Sequence, residues 1–163
     1  MEPDLIVVHG ISLPPGEFGG PWIDRLFTND LPPDGHPYFA EVAGRRVSAH
    51  LVIARDGSVT QFVGFNERAW HAGKSSYQGR DACNDFSIGV ELEGADTVPY
   101  DERQYRALAA VVAALCKAYP KLSAERLAGH SEVAPGRKTD PGPAFDWPHA
   151  RRLIASAVAA NRT

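Results

Sequence analysis

Long apolar runs, excess positive charge and a cysteine framework are all missing from this sequence of 163 residues. No apolar run approaches the roughly 20 residues that a membrane-spanning helix needs, so no membrane association is expected. Basic side chains number 17 against 20 acidic ones, a formal net charge of −3. A nucleic-acid binder needs a basic excess or patch, so no nucleic-acid partner is expected either. Two cysteines, Cys83 and Cys116, are too few for a disulfide scaffold. Cys116 falls on the apolar side of a predicted helix and reads as a small buried hydrophobe. Cys83 stands in a polar loop with no histidine beside it, a poor setting for a nucleophile. The first residues, Met1-Glu2-Pro3-Asp4-Leu5, lack the basic start and apolar stretch of a secretory leader, which predicts a cytoplasmic protein. Repeats, low-complexity tracts and linkers are absent as well, so residues 1–163 are expected to form a single domain.

What is present is ordinary globular material, with 44% hydrophobic and 23% charged residues. A chain of this size can hide about 70% of its unfolded surface, enough for a core. The apolar run at residues 5–8 reads as a buried strand ending at His9. Residues 10–44 are rich in glycine and proline, with a short helix predicted at Trp22–Phe27, and a loop this long suggests that it lines a site. Two β-rich segments, residues 47–53 and 59–65, flank Arg55-Asp56-Gly57-Ser58, and Asp-Gly between such runs signals a hairpin. A further strand is predicted at residues 86–92. Asp101 with Gln104 three residues later forms a capping box. The helix it opens carries Tyr105, Leu108, Ala109, Val112, Cys116 and Tyr119 at helical spacing, and Pro120 stops it. Residues 127–130 read as a short strand, residues 131–146 as a second proline-rich loop, and Trp147–Ala160 as a closing helix started by Asp146. Strands interleaved with two long helices predict an α/β fold with a mixed sheet flanked by helices.

Six histidines punctuate this pattern: His9, His36, His50, His71, His130 and His149. His9 and His130 each stand at the end of a strand, and Asp140 lies in a loop stiffened by Pro135, Pro141 and Pro143. Two imidazoles and a carboxylate, with a fourth position open, make the ligand set of a catalytic zinc site. Spacing alone is a weak signal here, because no local pair of the HExxH kind is present. His50 reads as a buried, hydrogen-bonded strand residue, His71 as a residue of the cleft, and His36 and His149 as surface residues.

Several words of the sequence occur in one order: Val7-Val8-His9-Gly10-Ile11-Ser12, Val47-Ser48-Ala49-His50, Arg68-Ala69-Trp70-His71-Ala72-Gly73, Ser87-Ile88-Gly89-Val90-Glu91-Leu92-Glu93-Gly94, and Gly129-His130 through Arg137-Lys138-Thr139-Asp140-Pro141-Gly142. Together they resemble the type 2 N-acetylmuramoyl-L-alanine amidases, a zinc family with a peptidoglycan-recognition-protein-like fold. Leu13-Pro14-Pro15-Gly16-Glu17-Phe18-Gly19-Gly20-Pro21-Trp22 and Tyr77-Gln78-Gly79-Arg80 are similar to the cytoplasmic AmpD-type branch, which cleaves 1,6-anhydro-N-acetylmuramyl-peptides in cell-wall recycling. The resemblance implies a zinc ion held by His9, His130 and Asp140 at one end of the sheet. It implies Glu91 as general acid/base and Lys138 as the group that steadies the transition state, and it makes the scissile bond the amide between the lactyl group of anhydro-muramic acid and L-alanine. Glu93 shares a strand face with Glu91 and reads as a solvated or ion-paired carboxylate.

The expected partner is a small muropeptide, bound by a monomer. Its sugar offers a face for Trp70 or Tyr38 to stack upon, and His71 is expected to line the cleft. The carboxylates of its stem peptide call for arginine forks, for which Arg46 and Arg80 are the candidates. The chain departs from the family pattern at Ala82, where relatives often carry arginine, and at Gly10, where they carry asparagine. It also begins almost directly at the first strand. Two other readings are a lytic amidase acting on intact wall and a peptidoglycan-binding module without activity.

Overall fold

Branched side chains suit a pleated surface buried on both sides, and the Leu-Ile-Val-Val run forms strand β1 (Leu5–Ile11). The strand outlasts its apolar run, so His9 lies inside it and not at its end. The computed structural model describes residues 1–162. In chain order there follow α1 (Trp22–Phe27), α2 (Phe39–Val42), β2 (Leu51–Ile53), β3 (Val59–Gln61), β4 (Ser76–Tyr77), β5 (Arg80–Asp81) and β6 (Ser87–Glu93). The chain closes with α3 (Glu102–Ala118), β7 (Leu127–Gly129), α4 (His130–Val133) and α5 (Trp147–Ala160). The main sheet runs β3-β2-β6-β1-β7, with β2, β6, β1 and β7 parallel and β3 antiparallel at the edge. A mixed sheet flanked by helices is the predicted architecture.

Alternation divides each central strand between two interiors. Ile6, Val8, Ile88, Val90 and Leu92 face α3 and α5, where Leu108, Val112, Leu115, Ile154 and Val158 complete the main core. Leu5 and Val7 point the other way, toward Ala72, Cys83, Phe86, Ala128 and Val133. On that same side β6 carries Ser87, Gly89, Glu91 and Glu93, although every residue of the strand is buried. A polar stripe inside a fully buried strand must be hydrogen-bonded or functional. A third core gathers Leu13, Ile23, Leu26, Phe27, Phe39 and Val52 beneath the long first loop.

The capping box at Asp101 is formed, its side chain accepting from Arg103 N–H while Gln104 Oε1 accepts from Asp101 N–H. Asp146 caps α5 by accepting from His149 N–H. The Asp56-Gly57 hairpin also forms, but its strands are shorter than the predicted 47–53 and 59–65. Ser48 turns away from the ladder because its N–H donates to Trp70 C=O and its hydroxyl accepts from Trp70 N–H. Three further boundaries differ from the sequence expectation. Helix α2 interrupts the first loop, the β4–β5 hairpin turns through Gln78 and Gly79 at positive φ, and His130 opens a helical turn instead of closing a strand. Cys83, expected in a polar loop, is fully buried in a short 3-10 turn against Phe86.

Candidate active site

Parallel pairing delivers the first two groups. Register places His9 directly beside Glu91 and Val8 beside Gly129, so His130 emerges at the same edge of the sheet as His9. Asp140 is brought in from the loop: its C=O accepts from Ser131 N–H, and its Oδ2 accepts from Gly10 N–H at 3.3 Å. His9 Nδ1 and His130 Nδ1 lie 3.0 Å apart. Asp140 Oδ2 is 3.3 Å from His9 Nδ1, and Oδ1 is 3.1 Å from His130 Nδ1. One ligand atom from each of the three residues falls within 4.8 Å of the others.

These groups fit a zinc ion on chemical grounds. His130 Nε2–H donates to Ala72 C=O at 3.1 Å, so its Nδ1 carries a lone pair that points at other acceptors. Electron-rich atoms converging with too few protons between them are repulsive unless a cation joins them, and an imidazole–imidazole–carboxylate set suits zinc. Burial holds His9 down at about 4 against the opposing pull of the Asp140 carboxylate, which leaves the ring neutral at pH 7, as a ligand must be.

Glu91 stands beside this cluster, with Oε1 3.7 Å from His9 Nδ1. Burial pushes its carboxyl well above the usual range, Asp140's charge adds to this, and Lys138 opposes it. Among the described residues, Glu91 Oε2 is a buried side-chain oxygen with no hydrogen-bond partner, and a buried polar atom left unpaired calls for a functional explanation. Glu93 is the contrast. Its Oε2 accepts from Gly19 N–H at 2.8 Å and its Oε1 from Arg55 N–H at 3.1 Å, so it braces two loops. It is buried and spends its oxygens on main-chain N–H groups, so it is not the solvated or ion-paired carboxylate expected from the strand pattern.

Every sequence-level site candidate has a definite place. A cavity of about 520 Å³ is lined by His9, Tyr38, Trp70, His71, Glu91, His130, Lys138 and Asp140 among others. Trp70 is 60% exposed at its mouth, with the Arg68 guanidinium over its ring. Arg46 is exposed beside the cavity-lining Val47 but does not line the cavity itself. Arg80 lies outside it too, pairing with Asp4 at 2.6 Å and stacking on Phe86. A larger cavity of about 740 Å³, between Gly73–Ser76 and residues 133–137, includes Ala82 and holds no histidine or glutamate. His50 stands just ahead of β2, and both ring nitrogens are spent on main chain, Nε2–H on Glu67 C=O and Nδ1 on Gly89 N–H. At Gly10 a β-carbon would collide with the Tyr100 hydroxyl, which donates to Pro141 C=O.

His71 does more than line the cavity, because its Nδ1 lies 2.9 Å from His9 Nε2. Buried Asn84 clamps the segment behind it, accepting from His71 N–H and Ala72 N–H. Neither Asn84 nor Ser87 stood out as functional from the sequence, although Ser87-Gly89-Glu91-Glu93 at period two inside an apolar strand was a readable signal. Gly89 is needed for packing: a β-carbon there would run into the His71 ring. Gly89→Ala is expected to destabilise the protein by about 1–3 kcal/mol, the range for overpacking, measured by denaturant midpoint.

Comparison with known proteins points to one family. Residues 1–143 match the family model described as N-acetylmuramoyl-L-alanine amidase. The chain is 62% identical over 154 residues to the 1,6-anhydro-N-acetylmuramyl-L-alanine amidase AmpD of Salmonella typhimurium (strain SL1344), covering 94% of this chain and 82% of that one. It superposes on the crystal structure of a selenomethionine AmpD derivative with a TM-score of 0.92 at 61% identity, over 94% of this chain and 86% of that one. The amidase AmiD from Escherichia coli, solved in complex with the substrate anhydro-N-acetylmuramic acid-L-Ala-D-γ-Glu-L-Lys, matches at 27% identity and a TM-score of 0.67, over 94% of this chain and 58% of that one. On the family match and this identity, the chain belongs to the N-acetylmuramoyl-L-alanine amidase family.

Proposed function

We propose that this chain is a zinc-dependent amidase that hydrolyses the bond between the lactyl group of 1,6-anhydro-N-acetylmuramic acid and L-alanine in peptidoglycan recycling. The observation that carries this reading is the juxtaposition of a metal-ready His9–His130–Asp140 cluster with the buried, unpartnered Glu91 oxygen. A zinc ion held by those three residues would supply a Lewis acid and water activated near neutral pH. Glu91 takes the proton that the attacking water gives up and delivers it to the departing alanine nitrogen. Its raised proton affinity suits both halves of that transfer. Lys138 lines the same cavity and offers positive charge where the carbonyl oxygen becomes negative. Residues 1–163 would act as one catalytic domain and as a monomer in the cytoplasm, which light scattering and cell fractionation check.

The deciding assay compares three substrates: anhydro-muropeptide, the same peptide on ordinary muramic acid, and intact wall. Rapid peptide release from the first alone is expected, and equal or faster attack on intact wall would favour a lytic enzyme instead. Trp70, exposed at the cavity mouth, is the surface proposed to stack on the sugar. An aromatic contact of this kind is worth about 0.5–1.5 kcal/mol. Trp70→Ala is therefore expected to raise KM roughly two- to tenfold while kcat stays within a factor of two, as steady-state kinetics would show.

A further inference from the structure

Two buried side chains, Ser87 and His71, link the Cys83 carbonyl to the ring of His9. Cys83 C=O can only accept. Ser87 is fully buried and has a single proton, which its hydroxyl donates to that carbonyl. Toward His71 Nε2, 3.3 Å away, the same oxygen therefore has only a lone pair to offer. His71 must carry its proton on Nε2, which leaves its Nδ1 bare. That bare Nδ1 faces His9 Nε2 at 2.9 Å, so the proton between them belongs to His9 Nε2. His9 Nδ1 is then the lone pair, and it is the nitrogen aimed at His130 and Asp140.

We propose that Ser87 and His71 are positioning residues whose hydrogen-bond chain, Cys83 C=O to Ser87 to His71 to His9, locks His9 into the tautomer that presents Nδ1 to the metal. The proposal rests on the reading that His9 is a zinc ligand. The other ligand histidine is set the same way in a single step, through Ala72 C=O. Residues 71 and 72 thus orient both imidazoles, one by side chain and one by backbone, and the Asn84 clamp holds the pair in place. Gly89 provides the room in β6 that the His71 ring fills. Partners of this kind fix ring orientation and raise ligand basicity. Ser87 touches neither the cavity nor the cluster atoms, so its hydroxyl can be removed without altering the reacting groups.

The test is a long-range 1H–15N spectrum of the histidines in metal-free protein at pH 8, paired with zinc affinity measured by competition with a chromogenic chelator. In the wild type, His9 is expected as a single tautomer protonated at Nε2. Ser87→Ala frees His71 to turn its proton pattern around, so the His9 nitrogens should move toward averaged shifts and zinc affinity should fall about 10- to 100-fold. Ser87→Thr, which keeps the hydroxyl, should restore both. A wild-type His9 protonated at Nδ1 overturns the proposal without any variant needing to fold. A His9 tautomer unchanged in Ser87→Ala, or a zinc affinity within twofold of wild type, overturns it as well. Should the wild type bind no zinc, the metal reading fails, and the spectrum alone still decides how His9 is protonated.

Discussion

Glu91→Gln is expected to lower kcat/KM by about 10²- to 10⁴-fold, the range supplied by a positioned general acid/base, with one zinc per chain still bound. Glutamine keeps the size of the side chain and fills the same buried corner, but it can neither take a proton from water nor give one to the departing nitrogen. Metal content measured beside the kinetics separates this outcome from a collapsed site. Turnover at the wild-type rate would remove Glu91 from the mechanism. The same substitution has a second, opposite effect on the metal-free protein. Burial raises the folded-state affinity of Glu91 for its proton above the unfolded value of 4.5. Below that pH the group is protonated in both states and contributes nothing. As pH rises past 4.5 the unfolded chain ionises first, so the carboxyl increasingly disfavours folding. Metal-free Glu91→Gln is therefore expected to be more stable than metal-free wild type at pH 8 and equal to it near pH 4, as urea midpoints at the two pH values would show.

Removing the metal is expected to abolish turnover entirely, and adding zinc back to restore it. Asp140→Ala should reach the same end by a different route. It takes away one proposed ligand and leaves His9 and His130 facing each other at 3.0 Å without the carboxylate that lies against both. Zinc held by these three side chains would bind the folded state and not the unfolded one, so saturation at a hundred times Kd would be worth about 2.7 kcal/mol. At about 2–4 °C per kcal/mol for a chain of this length, calorimetry should show Tm several degrees higher with zinc than without it. Asp140→Ala should lose most of that increment. A melting temperature indifferent to zinc would count against His9, His130 and Asp140 as its ligands.

Much of the frame was written locally. The capping box at Asp101, the Asp-Gly turn at 56–57 and the branched run in β1 each depend on neighbours a few residues apart, and each formed. Element ends were less readable, because they depend on where the backbone finds its partners. Ser48 leaves the predicted strand for Trp70, a residue 22 positions away in the chain. The β4–β5 turn had a local signature in Gln78-Gly79, both at positive φ, that the apolar pattern around it did not bring out.

The order of residues alone determined the candidate ligands, the strand that carries Glu91 and Glu93, and the helices that cover the sheet, because these follow from side-chain type and periodicity. Only tertiary structure decided between the two carboxylates. They share a face and a strand, yet Glu93 is consumed by the backbone of Gly19 and Arg55 while Glu91 keeps an unpartnered oxygen beside His9. It alone placed the hydrogen-bond partners of the His9 and His130 rings, 58 to 62 residues distant in the chain. Hydrogen bonds over such separations exist only after the sheet has formed, and no local pattern encodes where they will fall.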